Sequence, residues 1–201
     1  MWYHQYQAQP KGDDPMSPVK PEFDPENLYF ITTTAVNRTH LFLPKEHKQI
    51  IAHSLDYMRQ KGWIKLYAFV IMPNHAHILV RILTPFTLAG VMRDFKKYTS
   101  KQIAGHCLAE NQQELLSIME EAGEVNKKSK YKVWEDGYDA RDVYSLGFLE
   151  QKLDYIHNNP CQPQWNLVDQ PEDYRWSSAC FYLQERPAII EVDDLREFLI
   201  S

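Results

Sequence analysis

Cysteine is scarce in this chain: Cys107, Cys161 and Cys180 are the only three, far apart and in no Cys-x-x-Cys pair. Their number and spacing argue against a disulfide framework and a zinc ribbon, and leave them as reduced packing residues. Long apolar runs are missing as well, since none approaches the ~20 residues that a membrane span needs. The opening Met1-Trp2-Tyr3-His4-Gln5 lacks the basic and apolar regions of a signal peptide, so a soluble cytoplasmic protein with no membrane partner is expected. Nor is there a surplus of positive charge. A formal net charge of -5 argues against coating nucleic acid by bulk electrostatics, so any nucleic-acid site must be a local basic patch. No internal repeat is visible. What the chain does have, across 201 residues, is 44% hydrophobic and 13% aromatic side chains, enough for a sizeable core in one decorated domain.

The stretch Ile71-Met72-Pro73-Asn74-His75-Ala76-His77-Ile78-Leu79-Val80 organises the rest. Its apolar and β-branched residues predict a strand from His75 to Leu83, and residues two apart on a strand point to one face. His75 and His77 therefore project together. Two converging imidazoles make half of a metal site, because neutral imidazole nitrogen is a common ligand of divalent transition metals. Two surface or hydrogen-bonded core histidines would give the same pattern, and spacing alone leaves both readings open.

Along the chain, residues 1–26 read as an extended arm, with Pro10, Pro15, Pro18, Pro21 and Pro25 among polar residues. Leu28 to Val36 is rich in β-branched and aromatic residues and predicts a first strand, closed by Asn37-Arg38-Thr39. After Pro44, Ile50, Ile51, Leu55 and Met58 recur at helical spacing until Lys61-Gly62. Trp63 to Met72 predicts a strand entering the sheet centre, and Pro73-Asn74 turns it into a hairpin with the histidine strand.

A second helix follows Thr84-Pro85, with Leu88, Val91, Met92, Phe95 and Thr99 on one face. Opposite them Arg93, Lys97 and Lys101 stand at i, i+4 and i+8 with Lys96 beside them, as either a solvated face or a ridge that contacts phosphates. Residues 108–132 form an inserted charged segment in which five glutamates give way to Asn-Lys-Lys-Ser-Lys-Tyr-Lys. Val133 to Tyr138 predicts a short strand and turn, with Asp142 as a candidate helix cap. Pro171 to Ala179 is an aromatic-rich turn and helix start, and a short helix is expected in the tail at 187–201.

Between these last elements lies a helix whose apolar stripe is Leu146, Leu149, Leu153 and Ile156. At about 100° per residue Tyr155 falls nearly opposite that stripe, on the face shared with Lys152 and Asn159, and Pro160 ends the helix. An amphipathic surface tyrosine followed by an asparagine C-cap is the plain alternative.

Four pieces now fall in order: Leu-Tyr-Phe-Ile-Thr-Thr-Thr-Ala-Val-Asn-Arg, Met-Pro-Asn-His-Ala-His-Ile-Leu, Leu-Asp-Tyr-Ile-His-Asn-Asn-Pro and Pro-Glu-Asp-Tyr-Arg-Trp-Ser-Ser-Ala. Together, over residues 28–183, they resemble the single-tyrosine HUH transposases, and most closely the REP-associated tyrosine transposases. The resemblance implies an α+β, ferredoxin-like antiparallel sheet with helices packed on one side, within a catalytic domain spanning 27–186. It implies His75 and His77 as metal ligands, Asn159 as the third, and Tyr155 as a nucleophile that forms a 5′-phosphotyrosine on single-stranded DNA with hairpin ends. The cofactor would be a divalent ion: imidazole ligands favour Mn2+ by softness, and cellular abundance favours Mg2+. The protein would act as monomer or homodimer, with Tyr155 serving its own subunit or the partner's.

Tyr98 is the rival nucleophile. Three residues after Phe95, it falls at the edge of an apolar stripe, where packing would restrict its hydroxyl. Unpaired bases would stack on aromatics such as Tyr98 or Trp134. The interval from His77 to Tyr155 is longer than in compact members, a surplus that the segment at 108–132 accounts for. A domesticated, non-cutting DNA-binding protein would keep the fold and lose the site, whereas all four site residues are present. A zinc-type, metal-dependent hydrolase would need a third His, Cys or carboxylate, and no motif supplies one.

Overall fold

The computed structural model describes residues 23–126 and 129–195. Residues 1–22 of the arm expected at 1–26, Lys127, Lys128 and the tail from 196 onward lie outside the described residues. Four strands, β1 (Leu28–Thr34), β2 (Ile64–Ile71), β3 (His75–Ile82) and β4 (Asp139–Asp142), form one antiparallel sheet in the order β2-β3-β1-β4. Helix α1 (Lys45–Gln60) joins β1 to β2. Between β3 and β4 run α2 (Leu88–Ala109) and α3 (Gln113–Asn126), and α4 (Leu146–Asn158) and the short α5 (Ala179–Gln184) follow β4. The βαββαβ order is the ferredoxin-like pattern expected from the sequence.

Strand alternation decides which residues each face buries. Tyr29 and Ile31 of β1, Leu66, Phe69 and Ile71 of β2, and Ile78, Val80 and Ile82 of β3 pack with Ile51 and Leu55 of α1, Met92 and Phe95 of α2, and Leu116 and Met119 of α3. Leu28, Phe30, Ala68, Val70 and Leu79 point the other way and pack with Leu149, Leu153 and Ile156 of α4. The ferredoxin-like helices thus share one face as expected, and α4 covers the second. Burying those three α4 side chains contributes about 1.5–3 kcal/mol each, which holds the helix on the histidine side of the sheet.

The expected strand positions hold for β1, β2 and β3 with trimmed ends, and the hairpin turn is anchored from both sides. Ala35 N–H donates to Asn74 O at 2.8 Å and Phe42 N–H to Pro73 O at 2.8 Å. The outer edge of β2 is covered by the 174–178 segment, in which Tyr174 OH donates to Ile71 O at 2.9 Å.

Some expectations need correction. The strand placed at 133–138 lies instead at 139–142, where Asp-Ala-Arg-Asp is recruited by pairing with β1 despite poor intrinsic β propensity. Trp134 makes only an isolated bridge to Ala35, and its indole is buried, with Nε1 donating to Thr99 Oγ1 at 2.9 Å, so it offers no face to a base. The cap of α4 is Ser145, which accepts from Phe148 N–H at 3.2 Å, and Asp142 belongs to β4. Within the charged segment, α3 is amphipathic and seats Leu116 and Met119 in the main core. Of the expected tail helix, residues 187–194 are not helical.

Candidate active site

His75 and His77 sit two apart on β3, facing α4, with ring centroids 4.6 Å apart. Antiparallel register sets Thr32 of β1 directly opposite His77, and Thr32 Oγ1 lies 2.8 Å from His77 Nδ1. The Phe30 ring stacks on the imidazole at 5.3 Å. His77 is buried, and its Nε2 has no hydrogen-bond partner. An N–H at Nε2 would be a buried donor without an acceptor, so the favoured tautomer carries its proton on Nδ1, donated to Thr32, and leaves a lone pair on Nε2.

The neighbouring ring is fixed by the turn. Asn74 Nδ2 donates to Arg38 O at 2.9 Å, which orients the amide so that its Oδ1 accepts from His75 Nδ1 at 2.6 Å. His75 Nε2 is therefore the second lone pair. Burial pushes the pKa of His75 down to about 4 and that of His77 to about 3, the latter also lowered by its neighbours His75 and Lys152. Both rings are neutral at physiological pH, the form in which imidazole binds metal.

Asn159 reaches the site because the end of α4 tightens into a 3-10 turn, Asn159–Cys161, with Pro160 inside it. The sequence alone put Asn159 at an exposed helix terminus; in the fold it is buried. Its side chain approaches His75 closely enough to raise that imidazole's basicity, yet no well-aligned partner satisfies its Oδ1. Two neutral nitrogens and one amide oxygen thus face the same region with lone pairs to share, a donor set that fits a divalent cation with open positions. Among the described residues no cluster of three or more His, Cys, Asp or Glu could hold a metal, so a site here requires the asparagine.

One turn before Asn159, the Tyr155 ring stands edge-on to His77 with centroids 5.0 Å apart, and edge-on to Phe30 at 6.1 Å. It is 46% exposed, so its hydroxyl is open to a ligand. Lys152, a further turn back, holds its ammonium 5.8 Å from the Tyr155 ring centroid, and burial lowers its pKa. Thr32, Asn74, Phe30, Lys152 and Trp165, whose ring lies 5.5 Å from that of His75, were not singled out as site residues from the sequence. Two had a usable signal: Asn74 adjoins His75, and Lys152 shares the helix face of Tyr155.

The basic row is elsewhere. Helix α2 packs on the opposite face of the sheet from the histidines. Arg93 pairs with Asp94 at 2.9 Å, Lys97 and Lys101 are exposed, and the half-buried Lys96 donates to the Glu135 and Gly137 carbonyls, its pKa lowered to about 8 by burial. Lys96 is a brace for the 135–137 loop. Tyr98 is 50% exposed, so packing does not restrict its hydroxyl as expected; its separation from the histidines comes from the sheet between them.

The structure of a REP-associated tyrosine transposase bound to a REP hairpin matches with a TM-score of 0.56 over 81% of this chain and 82% of that one, at 17% identity, a likeness of fold. The family model for IS200-like transposases matches residues 26–159, more than half of the sequence, and the chain belongs to that family. Transposition of DNA, and DNA binding with it, are the functions that membership carries. A crystal structure assigned as a transposase from Deinococcus radiodurans aligns at 16% identity over 71% of this chain and 97% of that one, with a TM-score of 0.42. No curated protein matches the chain significantly. Among the described residues no helix is long and apolar enough to cross a membrane.

Proposed function

We propose that this transposase cuts and rejoins single-stranded DNA, with Tyr155 as the nucleophile and with His75, His77 and Asn159 holding one divalent cation, Mg2+ or Mn2+. The observation that carries the reading is the Tyr155 ring edge-on to His77 at 5.0 Å, beside the unpartnered His77 Nε2 and Asn159 Oδ1. When bound, the cation would neutralise charge on the non-bridging phosphate oxygens and favour the phenolate of a side chain whose ordinary pKa is ~10. Thr32 and Asn74 hold the two imidazoles in their ligating tautomers, as outer partners of ligand histidines do.

Tyr155 Oη attacks the phosphorus and the bond to the 3′ oxygen breaks. The phenol gives up its proton, the departing oxygen gains one, and the products are a 5′-phosphotyrosine and a free 3′-hydroxyl. Attack on that ester by another 3′-hydroxyl restores the phenol and joins two strands. Bond count is conserved throughout, so no nucleotide is needed. Tyr155 and His77 meet within one chain, which supports action in cis and a site complete in a monomer or in each half of a homodimer. The hairpin bound by the similar REP transposase supports a substrate with hairpin ends.

The deciding experiment is peptide mapping of the covalent adduct formed on a labelled single strand. The phosphotyrosyl group should be found on Tyr155; finding it on Tyr98, or finding no adduct, would sink the reading.

On the far face of the sheet, Arg93, Lys97 and Lys101 would meet only DNA that extends around the domain. Reversing Lys97 or Lys101 should lower the salt slope of DNA binding by about 0.7–0.9 per lost phosphate contact. Lys96→Met should leave that slope unchanged and instead cost about 1–3 kcal/mol of stability through the freed loop carbonyls, read as a lower melting temperature. An unchanged slope at Arg93, Lys97 and Lys101 alike would return α2 to a solvated surface.

A further inference from the structure

Helix α4 carries more than the nucleophile. Phe148, Lys152, Tyr155 and Asn159 lie within an arc of about 60° at 100° per residue, and Glu150 and Asp154 fall on the other side. At the start of this row the Tyr144 ring stacks on Phe148, with centroids 5.0 Å apart and planes 14° from parallel, and Tyr144 is 66% exposed. Lys152 Nζ stands 4.8 Å from the Phe148 ring centroid and 5.1 Å from that of Phe30. Cation–π contact thus fixes the ammonium between the aromatic pair and Tyr155. Asp139, the carboxylate whose charge acts on Lys152, is paired with Arg141 at 3.1 Å. A stacked aromatic pair facing solvent, then a cation held by cation–π contact, then the tyrosine, is a sequence of features that an extended strand of nucleotides satisfies and a folded protein core does not require.

We propose that this row is a single-strand track: a base stacks on Tyr144 and Phe148, Lys152 takes the phosphate that follows, and the strand is thereby delivered to Tyr155. The inference rests on the nucleophile assignment above for its direction. Helical rise places Phe148 and Tyr155 about 10 Å apart along the axis, close to three nucleotides stacked at about 3.4 Å each. Aromatic stacking accepts any base, so the track supplies affinity for single strands without reading sequence. Bases unpaired at the cut would then rest on this pair, and Trp134 and Tyr98 would take no part.

Fluorescence anisotropy with a labelled oligo(dT), alone and annealed to oligo(dA), tests the track. Tyr144→Ala, at an exposed position outside the core, should weaken single-strand binding about tenfold and leave duplex binding unchanged. Lys152→Met should lower the single-strand salt slope by about 0.7, and Tyr98→Ala should bind as the parent does. Parental single-strand affinity in Tyr144→Ala together with a parental slope in Lys152→Met overturns the track, as does an equal loss of duplex binding. Adduct formation at Tyr155 is scored separately on the same proteins, so failure of the nucleophile assignment and failure of the track are told apart.

Discussion

Tyr155→Phe is expected to bind single-stranded DNA as the parent does and to form no covalent adduct. The substitution removes one oxygen and keeps the ring that contacts His77 and Phe30, so the fold and the imidazole packing survive it. Losing a covalent nucleophile costs on the order of 10⁶-fold in turnover, far more than loss of any single binding contact. Tyr98→Phe should still form the adduct at the parental rate, although Tyr98 and Tyr155 are about equally exposed, at 50% and 46%. What separates them is position. Tyr155 stands one turn before Asn159 and touches His77, whereas Tyr98 stands on the helix layer across the sheet. A nucleophile must come within about 3.5 Å of its phosphorus in the reactive complex, and only one of the two tyrosines is carried toward the imidazoles by its own backbone. Denaturing gel shift of a labelled strand reads the result, and an adduct in Tyr155→Phe would reassign the nucleophile.

The parts of this arrangement legible in the sequence are those in which local periodicity and global placement agree. Alternation in β3 put His75 and His77 on one face, and helical spacing in α4 put Tyr155 on the face of Asn159. Both are local facts, and both descend directly from backbone geometry. Which side of the sheet each helix covers is not local. The basic row of α2 is regular and close in sequence to the histidines, yet its apolar stripe commits it to the opposite layer. β4 escaped notice for a similar reason, since Asp139 to Asp142 becomes a strand through its partner β1 rather than through its own composition. Burial of Asn159 follows from the 3-10 turn at Pro160, which a periodic pattern does not register. Lys96 looked like one more cation of the ridge, and only the fold reveals the carbonyls that engage it.

Removal of the free nitrogen of His77 is expected to abolish metal-dependent nicking, and the choice of replacement decides whether the result is interpretable. The residue is only 4% exposed, stacks on Phe30 and shares a hydrogen bond with Thr32, so His77→Ala leaves a half-buried hydroxyl unpaired and a gap beside an aromatic ring. A loss of about 1–3 kcal/mol of stability would accompany the loss of activity and confuse its cause. His77→Asn avoids this, because its amide reaches about as far as Nδ1 and can still pair with Thr32, but nothing stands where Nε2 was. That variant should melt near the parental temperature, bind Mn2+ far more weakly by titration calorimetry, and fail to nick. His77→Gln, whose amide oxygen extends to about the position of Nε2, should recover part of the Mn2+ affinity. Thr32→Val, which removes only the outer partner of the imidazole, should cost about 10–100-fold in metal affinity or rate. Nicking at the parental rate by a folded His77→Asn protein would overturn the metal assignment, since that variant keeps the pairing with Thr32 and lacks the unpartnered Nε2 lone pair.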